Sequence, residues 1–565
     1  MPFPRRLMKK QKSPGLPDQL LPDQILEKHK NESIGTRLED TLSFVKNLLE
    51  ENEDFVVRRF HVFGRFPAAM FFFSNMIDQA AINADILKPL MDAPRHSEAA
   101  QMETHQLKNV VLNDTLHHSG GRLERNLVKI VEAILSGETI IAVEGLDEAF
   151  LIGTRHVEKR AVVQPQTEQV IRGPREGFIE PLATNIALMR YRLQTPNFCV
   201  RTMKIGKLTK SKVAICYIRG VVNPALVKEV EHRLSAIDID GILDTGYIEQ
   251  FIEDHHTSPF PQIQNTERPD KAVANLLEGR VILFVDGSPF ALIVPSVFSQ
   301  FYQTTEDYNE RFLLVSFIRL ARLVALMFSL IFPSLYVAVI SFNPELIPTE
   351  FAVAVAGGRA GVPFPSVIEV LIMEVSMEVL REATIRLPQQ VGGALSIVGV
   401  LVVGQAAVSA GFASPITVVV IALTTIGSFA TPAYNAALAL RLLRFPLIIL
   451  AGIFGLYGVM VGLIVVANHL LSLKSFGVPY MSPIVPGSFE GMKDTVIRGP
   501  LWWMKKRPVL LHPLDKDRLG DKTLEEIKQP PSNTLDPLKV GNERQAEQDG
   551  VSSADHLDPG SRNSD

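Results

Sequence analysis

The sequence predicts a two-lobed α/β or α+β soluble region, followed by an all-α multi-pass transmembrane domain and a disordered C-terminal tail. Up to about residue 310, helix-like and strand-like patterns alternate, as they do in water-soluble mixed folds. Beyond that point Asp, Glu, Lys and Arg disappear from three long stretches, at 323–344, 387–440 and 445–473. The composition agrees with this division into two halves, because the chain has 21% charged residues and yet a slightly positive mean hydropathy. A polar half joined to a very apolar half explains both values.

The N-terminal half is predicted to contain two lobes. Residues 1–30 are basic and proline-rich, and they are expected to form a mobile arm. They lack the apolar segment of a secretory signal, so the N-terminal domain is expected to be cytoplasmic. Within a first α/β lobe at 31–160, the stretch 139–152 has the pattern of two strands joined by a turn. The sequence Arg-Gly-Pro-Arg at 172–175 interrupts the periodicity near the start of a second α/β lobe at 161–275.

The apolar half is predicted to span a membrane about four times. A helix needs about 20 apolar residues to cross a bilayer, and a soluble helix of that length would keep a polar face. The transmembrane domain is expected at 313–475, and a junction at 276–312 connects it to the second lobe. An even number of spans would leave both chain ends in the cytoplasm, close to basic residues. The predicted spans are 315–341, 391–413, 415–440 and 445–468.

One further segment of this half is predicted not to cross, and a crossing over 351–387 is the alternative, which would make five spans and put the C-terminal tail outside. The segment 365–387 has helical periodicity but carries six ionised side chains, which makes a lipid-facing span too costly. An amphipathic helix at the membrane surface or beside a pore fits this pattern better. The tail at 476–565 is expected to be cytoplasmic and largely disordered. From Pro508 onward proline and polar residues dominate it, and aromatic residues are absent.

The sequence carries no pattern of a catalytic or cofactor site. Nucleotide-binding glycine loops and the G-x-S-x-G serine motif are missing. Four potential metal ligands adjoin at 253–256, but neighbours in sequence cannot converge on one ion without an unusual loop, so a solvated turn is the simpler interpretation. A net charge of -4 offers no dense basic face to nucleic acid. We therefore predict no enzyme, no cofactor, no metal site and no nucleic-acid partner.

The two cysteines, Cys199 and Cys216, each lie in a strand-like apolar stretch. Few cysteines and a cytoplasmic location favour buried free thiols. A disulfide bond between them is the alternative that the sequence leaves open.

One predicted span carries a strongly polar side chain near the middle of the membrane. Gln405 lies in 391–413, a segment dense in Gly, Ala and Ser that lets helices approach closely. Val398, Leu401, Gln405 and Ser409 follow helical spacing and share one face. An amide at that depth needs a hydrogen-bond partner or water. Packing against a neighbouring helix and lining of a pore are equal alternatives at this point.

Three glutamates stand four residues apart on the predicted amphipathic helix. Glu374, Glu378 and Glu382 place like charges on one face, which is mildly unfavourable for an isolated helix. A cation path or an acidic vestibule would use such a face. A solvated surface face, partly balanced by Arg381 and Arg386, is the simpler alternative.

The segment 258–270, SPFPQIQNTERPD, lies just before the apolar half. Its prolines restrict the backbone and remove donors, so it is predicted to form an extended, stiff strip. Glu267 and Arg268 can pair locally or across a subunit boundary. The strip either couples the soluble lobes to the membrane domain or serves as a structural brace. The residues predicted to couple are Pro259, Pro261, Glu267, Arg268 and Asp270.

Several stretches resemble the GerA family, the A-type subunits of spore germinant receptors. The 258–270 strip is the most specific of them. The matching stretches follow one another in order, so they cover most of the chain from about residue 130 to about 490. The others are VIRGPREGFIE at 170–180, EGRV at 278–281, EDY at 306–308, LREA at 380–383 and GQAAV at 404–408.

The resemblance implies a receptor of A, B and C subunits in the inner membrane of a dormant spore. In such receptors the B subunit resembles a transporter and holds the germinant, and the C subunit is a lipoprotein. The A subunit is proposed to form a homo-oligomer in the lipid membrane that acts as a ligand-gated cation channel and starts germination. By this analogy Val398, Leu401 or Val402 forms the constriction of a pore, with Gln405 beside it.

Two other functions remain open at this stage. Within the family, the chain could be an accessory membrane protein of the stage V sporulation protein AF type. From a different class, it could be a small-molecule carrier whose soluble lobes bind the substrate. Carriers often contain inverted repeats, and no internal repeat is visible in this sequence.

Overall fold

The computed structural model describes residues 20–92, 104–116, 121–155, 164–385, 402 and 404–528. Residues up to Lys516 belong to one compact unit, and a second unit begins at Asp517. Helices of seven residues or more are numbered in chain order among the described residues. The first unit contains two antiparallel sheets and a group of long apolar helices. Of the second unit, the helix Asp521–Lys528 is described.

The first lobe is a five-stranded antiparallel sheet in the order β1-β2-β4-β5-β3. Alternate side chains of β2 enter two different cores, as the period of two in a strand requires. Three helices cover one face, and short helical turns between Gln79 and Thr115 cover the other. The elements are α1 (Pro22–Lys28), α2 (Leu38–Leu49), β1 (Phe55–Val62), β2 (Phe66–Phe73), β3 (Arg122–Glu124), α3 (Leu127–Leu135), β4 (Thr139–Val143) and β5 (Ala149–Ile152).

The predicted mobile arm at 1–30 is wrong for its last part. Residues 22–28 form α1, and Leu26 is buried in the core of the first lobe. The lobe therefore begins before residue 31, because the apolar side of α1 packs against the core of the first lobe. Residues 1–19 lie outside the described residues.

The second lobe is also a five-stranded antiparallel sheet, in the order β6-β7-β9-β10-β8. Helices α4 and α7 cover one face, and α5 and α6 cover the other. The elements are α4 (Leu182–Arg192), β6 (Phe198–Ile205), β7 (Ser211–Ile218), α5 (Pro224–Ser235), α6 (Thr245–Ile252), β8 (Gln264–Thr266), α7 (Pro269–Leu277), β9 (Val281–Val285) and β10 (Ala291–Val294).

The predicted end of the second lobe at residue 275 is therefore too early. Strand β9 pairs with both β7 and β10, and all five of its residues are buried. A strand that is covered on both faces is apolar throughout, so its sequence resembles an approach to the membrane. The junction to the apolar helices starts only after Val294.

The two lobes share one buried ion pair. The Arg190 guanidinium donates to Asp54 Oδ1 and Oδ2 at 2.6 and 2.7 Å and to Asn52 Oδ1 at 2.8 Å. Its plane lies over the rings of Phe73 and Phe198, at 3.9 and 5.2 Å from their centroids. Two-pronged pairing and stacking together fix the lobes against each other.

Cys199 and Cys216 are free, buried thiols, as predicted. They lie on neighbouring strands, but Cα of Cys216 is opposite Val200, and the two side chains enter different cores. Since adjacent positions of a strand point to opposite faces, the sheet separates the two sulfur atoms.

Five numbered helices lie in the described part of the apolar half, and two of them, α8 and α12, are long and apolar enough to cross a membrane. The predicted span 315–341 lies within α8. The predicted span 391–413 lies largely outside the described residues, of which 402 and 404–409 are helical. The helices are α8 (Phe312–Phe342), α9 (Thr349–Arg359), α10 (Ser366–Ile385), α11 (Pro415–Ser428) and α12 (Tyr434–Ser472).

Helix α12 is a hairpin rather than one rod. Gly455 adopts φ +59° and ψ -141°, a conformation that side chains other than glycine rarely take. Beyond it the chain returns along itself, since a Cβ at Gly462 would lie 2.5 Å from Leu447 Cδ2. The hairpin thus has two antiparallel arms, 434–454 and 456–472.

The predicted boundaries 415–440 and 445–468 are wrong for this reason. The chain leaves the helix after Ser428 and reverses at Gly455. Arg441 and Arg444, which suggested a loop, lie inside the first arm and are buried. Their charges meet carboxylates on α10, so the helix does not have to end there.

Helix α10 shows that the predicted amphipathic segment is helical over Ser366–Ile385, but it packs inside the bundle instead of lying on a surface. Val367 touches Gly452, and Glu374 Oε2 lies 3.4 Å from Arg444 Nη1. As residue numbers rise along α10, its contacts on α12 move to lower numbers. The two helices are therefore antiparallel. The paired charges lower the cost that made this placement seem unfavourable.

The predicted disordered tail is wrong over 476–516. After the hairpin, two short strands, β11 (Lys474–Ser475) and β12 (Val478–Pro479), turn the chain back toward the second lobe. The backbone N–H of Leu514 donates to Val221 O at 3.1 Å, and Arg507 Nε donates to Leu277 O at 2.7 Å. These partners belong to a distant part of the chain, so local composition gave no sign of them. Residues 529–565 lie outside the described residues.

Candidate functional site

The 258–270 strip joins the apolar helices to the second sheet. At its start, Ser258 Oγ lies 2.9 Å from Nε2 of His469 in the second arm of α12. Phe260 is buried in a core that includes Leu326 of α8 and Leu440 of α12. At its end, residues 264–266 form β8, an edge strand paired with β10. Within the strip only β8 is a strand: residues 259–260, 262–263 and 267 are bends, and Pro269 and Asp270 already belong to α7. The prediction of an extended strip is therefore wrong outside β8. The start of the strip lies among the apolar helices, and β8 lies in the second sheet.

The two candidate prolines line a cavity between the second lobe and α12. Pro259 and Pro261 face Leu438 and Leu442 across a volume of about 340 Å³. Two carboxylates of α6 and its C-terminus, Glu249 and Glu253, also border it.

Burial raises the pKa of Glu249 to about 8, and the nearby carboxylates of Glu253 and Asp244 add to the effect. Burial likewise raises the pKa of Glu253. The cavity therefore places at least one carboxyl group that binds a proton near neutral pH, Glu249, beside the strip.

Of the two charged residues predicted to pair locally or across a subunit boundary, Arg268 pairs locally, with Asp270, whereas Glu267 binds the segment between the lobes. Arg268 Nη2 donates to Asp270 Oδ2 and to Pro174 O, both at 2.8 Å. Glu267 Oε2 instead accepts from the backbone N–H of Gln166 at 2.6 Å. Glu267 and Arg268 therefore have different partners. Both are buried, and each ties the strip to the segment that links the lobes.

A second connection between the lobes and the apolar helices lies at the start of α8. From the sequence, the basic residues there indicate only which side of the membrane they lie on. Arg319 is fully buried; its Nε donates to Asp307 Oδ2 and its Nη1 to Asp494 Oδ1, both at 2.8 Å. Arg322 Nη1 lies 3.3 Å from the same Asp307 oxygen. Burial opposes ionisation of Asp307, but the two guanidinium groups outweigh it and hold its pKa below the usual value. Tyr308 donates to Asp494 Oδ2 at 2.6 Å and completes the cluster.

The acidic candidates of α10 have three different surroundings. Glu374 is buried beside Arg444, and Glu378 lies 2.9 Å from Arg381 and 3.8 Å from Arg441. Glu382 is exposed. The simple picture of three stacked solvated carboxylates therefore does not describe this face in a single chain.

The pore candidates fall partly outside the described residues. Val398 and Leu401 are not among them. Val402, Gln405 and Ser409 are all exposed in the single chain, at the positions that helical spacing predicts for one face. Gln405 is therefore not buried against the described helices of its own chain.

The residues 253–256 do not converge on a metal site. Asp254 pairs with Arg233 at 2.6 Å, whereas Nδ1 of His256 bonds to Gln250 O at 2.8 Å. Within the described ranges, no group of three His, Cys, Asp or Glu side chains is arranged to hold an ion.

Together these features define a class of protein in which a rigid two-lobed region is connected through buried contacts to helices able to cross a membrane. A family model described as "Bacillus/Clostridium GerA spore germination protein" matches residues 43–510. The chain belongs to the GerA family. The predicted resemblance to A-type germination subunits is thereby confirmed.

Several known proteins resemble most of the chain. Spore germination protein KA of Bacillus subtilis (strain 168) is 42% identical over 496 residues, covering 87% of this chain and 90% of that protein. The uncharacterized membrane protein YfkQ of the same organism is 40% identical and covers 86% and 93%. Spore germination protein A1, also from that organism, is 38% identical and covers 82% and 94%.

A solved structure also matches. The N-terminal domain of the A subunit of the Bacillus megaterium spore germinant receptor GerK3 is 32% identical and covers 47% of this chain and 98% of that domain, with a TM-score of 0.35.

Proposed function

We propose that this chain is the A-type subunit of a spore germinant receptor, and that it forms an oligomeric, ligand-gated cation channel in the spore inner membrane. It acts as a signalling and transport protein rather than an enzyme. The observation that carries the proposal is the 258–270 strip, whose ends are buried in the second sheet and between the apolar helices. A change in the soluble lobes can reach the helices through such a stiff connection.

Helix directions support a membrane domain with both ends on the side of the lobes. The start of α8 and the end of α12 both contact the lobe-side segments, through Arg319 and His469. α10 and α11 run toward the lobes, and Gly404 lies beside Val418 near the start of α11. Among the described residues, we infer five crossings, by α8, α10, α11 and the two arms of α12, whereas the sequence predicts four spans. The predicted span 391–413 lies largely outside the described residues and is not counted. Arg311 and Lys506 lie on the lobe side, which favours a cytoplasmic position.

The assignment of Val402, Gln405 and Ser409 to a pore rests on the exposure of their side chains in the single chain. In a membrane, the exposed amide of Gln405 needs water or a partner outside its own chain. An oligomer that turns Val402, Gln405 and Ser409 toward a shared axis provides both. We propose that B-type transporter-like and C-type lipoprotein subunits complete the receptor and that the B subunit supplies the germinant signal.

The test measures cation release from spores after germinant addition, together with the conductance of the purified oligomer in planar bilayers. Val402→Thr is expected to change both several-fold, because it places a hydroxyl at the constriction. Val419→Thr on α11 is the matched control, since Val402 and Val419 are 54% and 56% exposed. Equal conductance for both variants and the native chain would remove Val402 from the pore. Normal ion release from spores that lack the chain and have no other receptor for that germinant would reject the function.

An accessory membrane protein is the second candidate. The match to YfkQ covers 93% of that protein, and its name describes a membrane protein, not a germination protein. Neighbouring genes for B- and C-type subunits favour the receptor. A carrier would instead show calorimetric binding of a small nutrient to the soluble lobes.

A further inference from the structure

The chain contains two tryptophans, and both lie in one exposed turn beside the start of α8. The turn is the short helix Leu501–Trp503, called the aromatic turn below. Trp502 and Trp503 are 42% and 59% exposed. The edge of Trp502 meets the ring of Phe312 with centroids 6.2 Å apart. Two large exposed indoles at the start of an apolar helix indicate a surface that another molecule or a lipid layer covers.

Buried polar contacts hold the aromatic turn in this place. Ser316 Oγ donates to Arg498 O at 3.1 Å, and Arg498 Nη1 donates to Glu310 O at 2.8 Å. Just upstream, Asp494 binds Arg319. The segment before the turn is therefore fixed to the first two turns of α8, and the tryptophans cannot move independently of that helix.

The exposed apolar surface continues from the aromatic turn onto α8. Leu313, Leu314 and Phe317 are all exposed, and Val324 and Met327 extend the same kind of surface into the charge-free part of the helix. At 1.5 Å per residue, Phe317 lies only about 9 Å along the helix axis from the first charge-free residue, 323. That is the depth at which tryptophan side chains gather at a membrane surface.

Basic residues border the aromatic turn. Arg311 and Lys506 are exposed, and Lys505 stands between Lys506 and the indoles. Of the nearby carboxylates, Asp494, Asp515 and Glu310 pair with arginines. Glu490 Oε1 lies 3.7 Å from Lys506 Nζ, with both side chains about half exposed. A solvated pair of this kind is weak, so Lys506 can also reach a lipid phosphate.

We propose that the aromatic turn is an interfacial anchor that seats the start of α8 in an anionic lipid leaflet on the side of the lobes. Trp502 and Trp503 lie among the headgroups, and Arg311, Lys505 and Lys506 attract the phosphates. An anionic leaflet fits better than a second copy, because the apolar surface is continuous with α8 and its border is basic. The inference rests on the proposed membrane crossing of α8, but not on ion conduction.

Because both tryptophans lie in the turn, the intrinsic fluorescence of the full chain reports on it directly. The purified protein is reconstituted in phosphatidylcholine vesicles, alone or mixed with phosphatidylglycerol. Lipids carrying bromine near the headgroup should quench the emission at least two-fold more than lipids brominated deep in the acyl chain. Anionic lipid should shift the emission to shorter wavelength.

The double variant Lys505→Gln/Lys506→Gln should lose the response to phosphatidylglycerol while shallow quenching remains. Lys207→Gln/Lys212→Gln, in the second lobe, is the matched control and should behave as the native chain. Absence of quenching by either lipid would overturn the proposal. Emission that depends on protein concentration but not on lipid would assign the turn to a contact between copies instead. A chain that anchors normally but does not conduct would reject the proposed channel and leave the anchor intact.

Discussion

At the scale of single residues, arginines carry most of the buried charge, and each connects parts of the chain that are distant in sequence. Arg190 joins the two lobes, Arg268 joins the strip to the lobe linker, and Arg319 joins α8 to the C-terminal segment. A guanidinium group can serve several acceptors at once, which suits such junctions. Removing one partner leaves a buried charge uncompensated.

Replacement of Arg319 by Ala should therefore destabilise the protein by about 3–5 kcal/mol, because Asp307 remains buried without its main partner. Thermal unfolding of the detergent-solubilised chain measures this loss. Arg172→Ala is the control, since the Arg172–Glu310 pair is at the surface with a distance of 3.5 Å and should cost about 0–1 kcal/mol. Similar melting temperatures for the two variants would show that the Arg319 cluster adds little.

Glu249 makes stability depend on pH. Its pKa is raised by burial from 4.5 to about 8 in the folded chain, so the folded state binds more protons than the unfolded state between these values. Stability should consequently fall as pH rises from about 4.5 to 8. Glu249→Gln should flatten this part of the curve and raise the melting temperature at pH 8. Unfolding curves at several pH values test it, and Glu229→Gln on α5 is the control, because the Glu229 side chain is 45% exposed. An unchanged pH dependence in Glu249→Gln would contradict the assignment.

At the scale of elements, the turn at Gly455 decides the shape of α12. The backbone there is left-handed, and a Cβ would lie 3.0 Å from the ring of Phe342. The hairpin therefore depends on one residue without a side chain, in the middle of a sequence that otherwise predicts uninterrupted helix.

Gly455→Ala should destabilise the hairpin by about 1–3 kcal/mol, the usual cost of a residue held in an unfavourable backbone region. The readouts are the yield of monodisperse protein and its melting temperature. Gly357→Ala in α9 is the control, because nothing lies within 4 Å of an added Cβ there. A Gly455 variant as stable as this control would mean that the two arms do not need the tight turn.

At the scale of the whole molecule, the strip, the Arg319 cluster and the C-terminal segment all connect the lobes to the apolar helices. The strip contributes Phe260, which is buried against both α8 and α12. Rigid lobes linked at several points should move as one body relative to the helices, so a mild change in the strip that leaves the buried ion pairs intact should change signalling more than folding.

Phe260→Leu should slow germinant-triggered cation release, because it loosens the contact of the strip with the helices while retaining an apolar side chain. Spore ion release gives the rate, and immunoblotting of spore membranes gives the amount of protein. Leu208→Ala, at an exposed position of the second lobe, is the control. Normal release at normal abundance would show that the strip is a brace without a coupling role.

The sequence by itself determined the division into a soluble half and an apolar half, the two lobes, the helix at 366–385 and the family. These follow from local periodicity, composition and motifs. Only the tertiary structure decided the end of the second lobe, the hairpin at Gly455 and the ordered segment 476–516. In the coupling strip, it also decided that Arg268 pairs with Asp270 and Glu267 with a distant backbone.

The physical reason is the same in each case. From its sequence alone, a fully buried central strand resembles a membrane segment. A charged residue in an apolar stretch likewise suggests a loop when the side chains around it are not known. Arg444 is compatible with the helix interior only because Glu374, 70 residues earlier, faces it. Pairing across such distances has no local signature, so folding alone places these charges together.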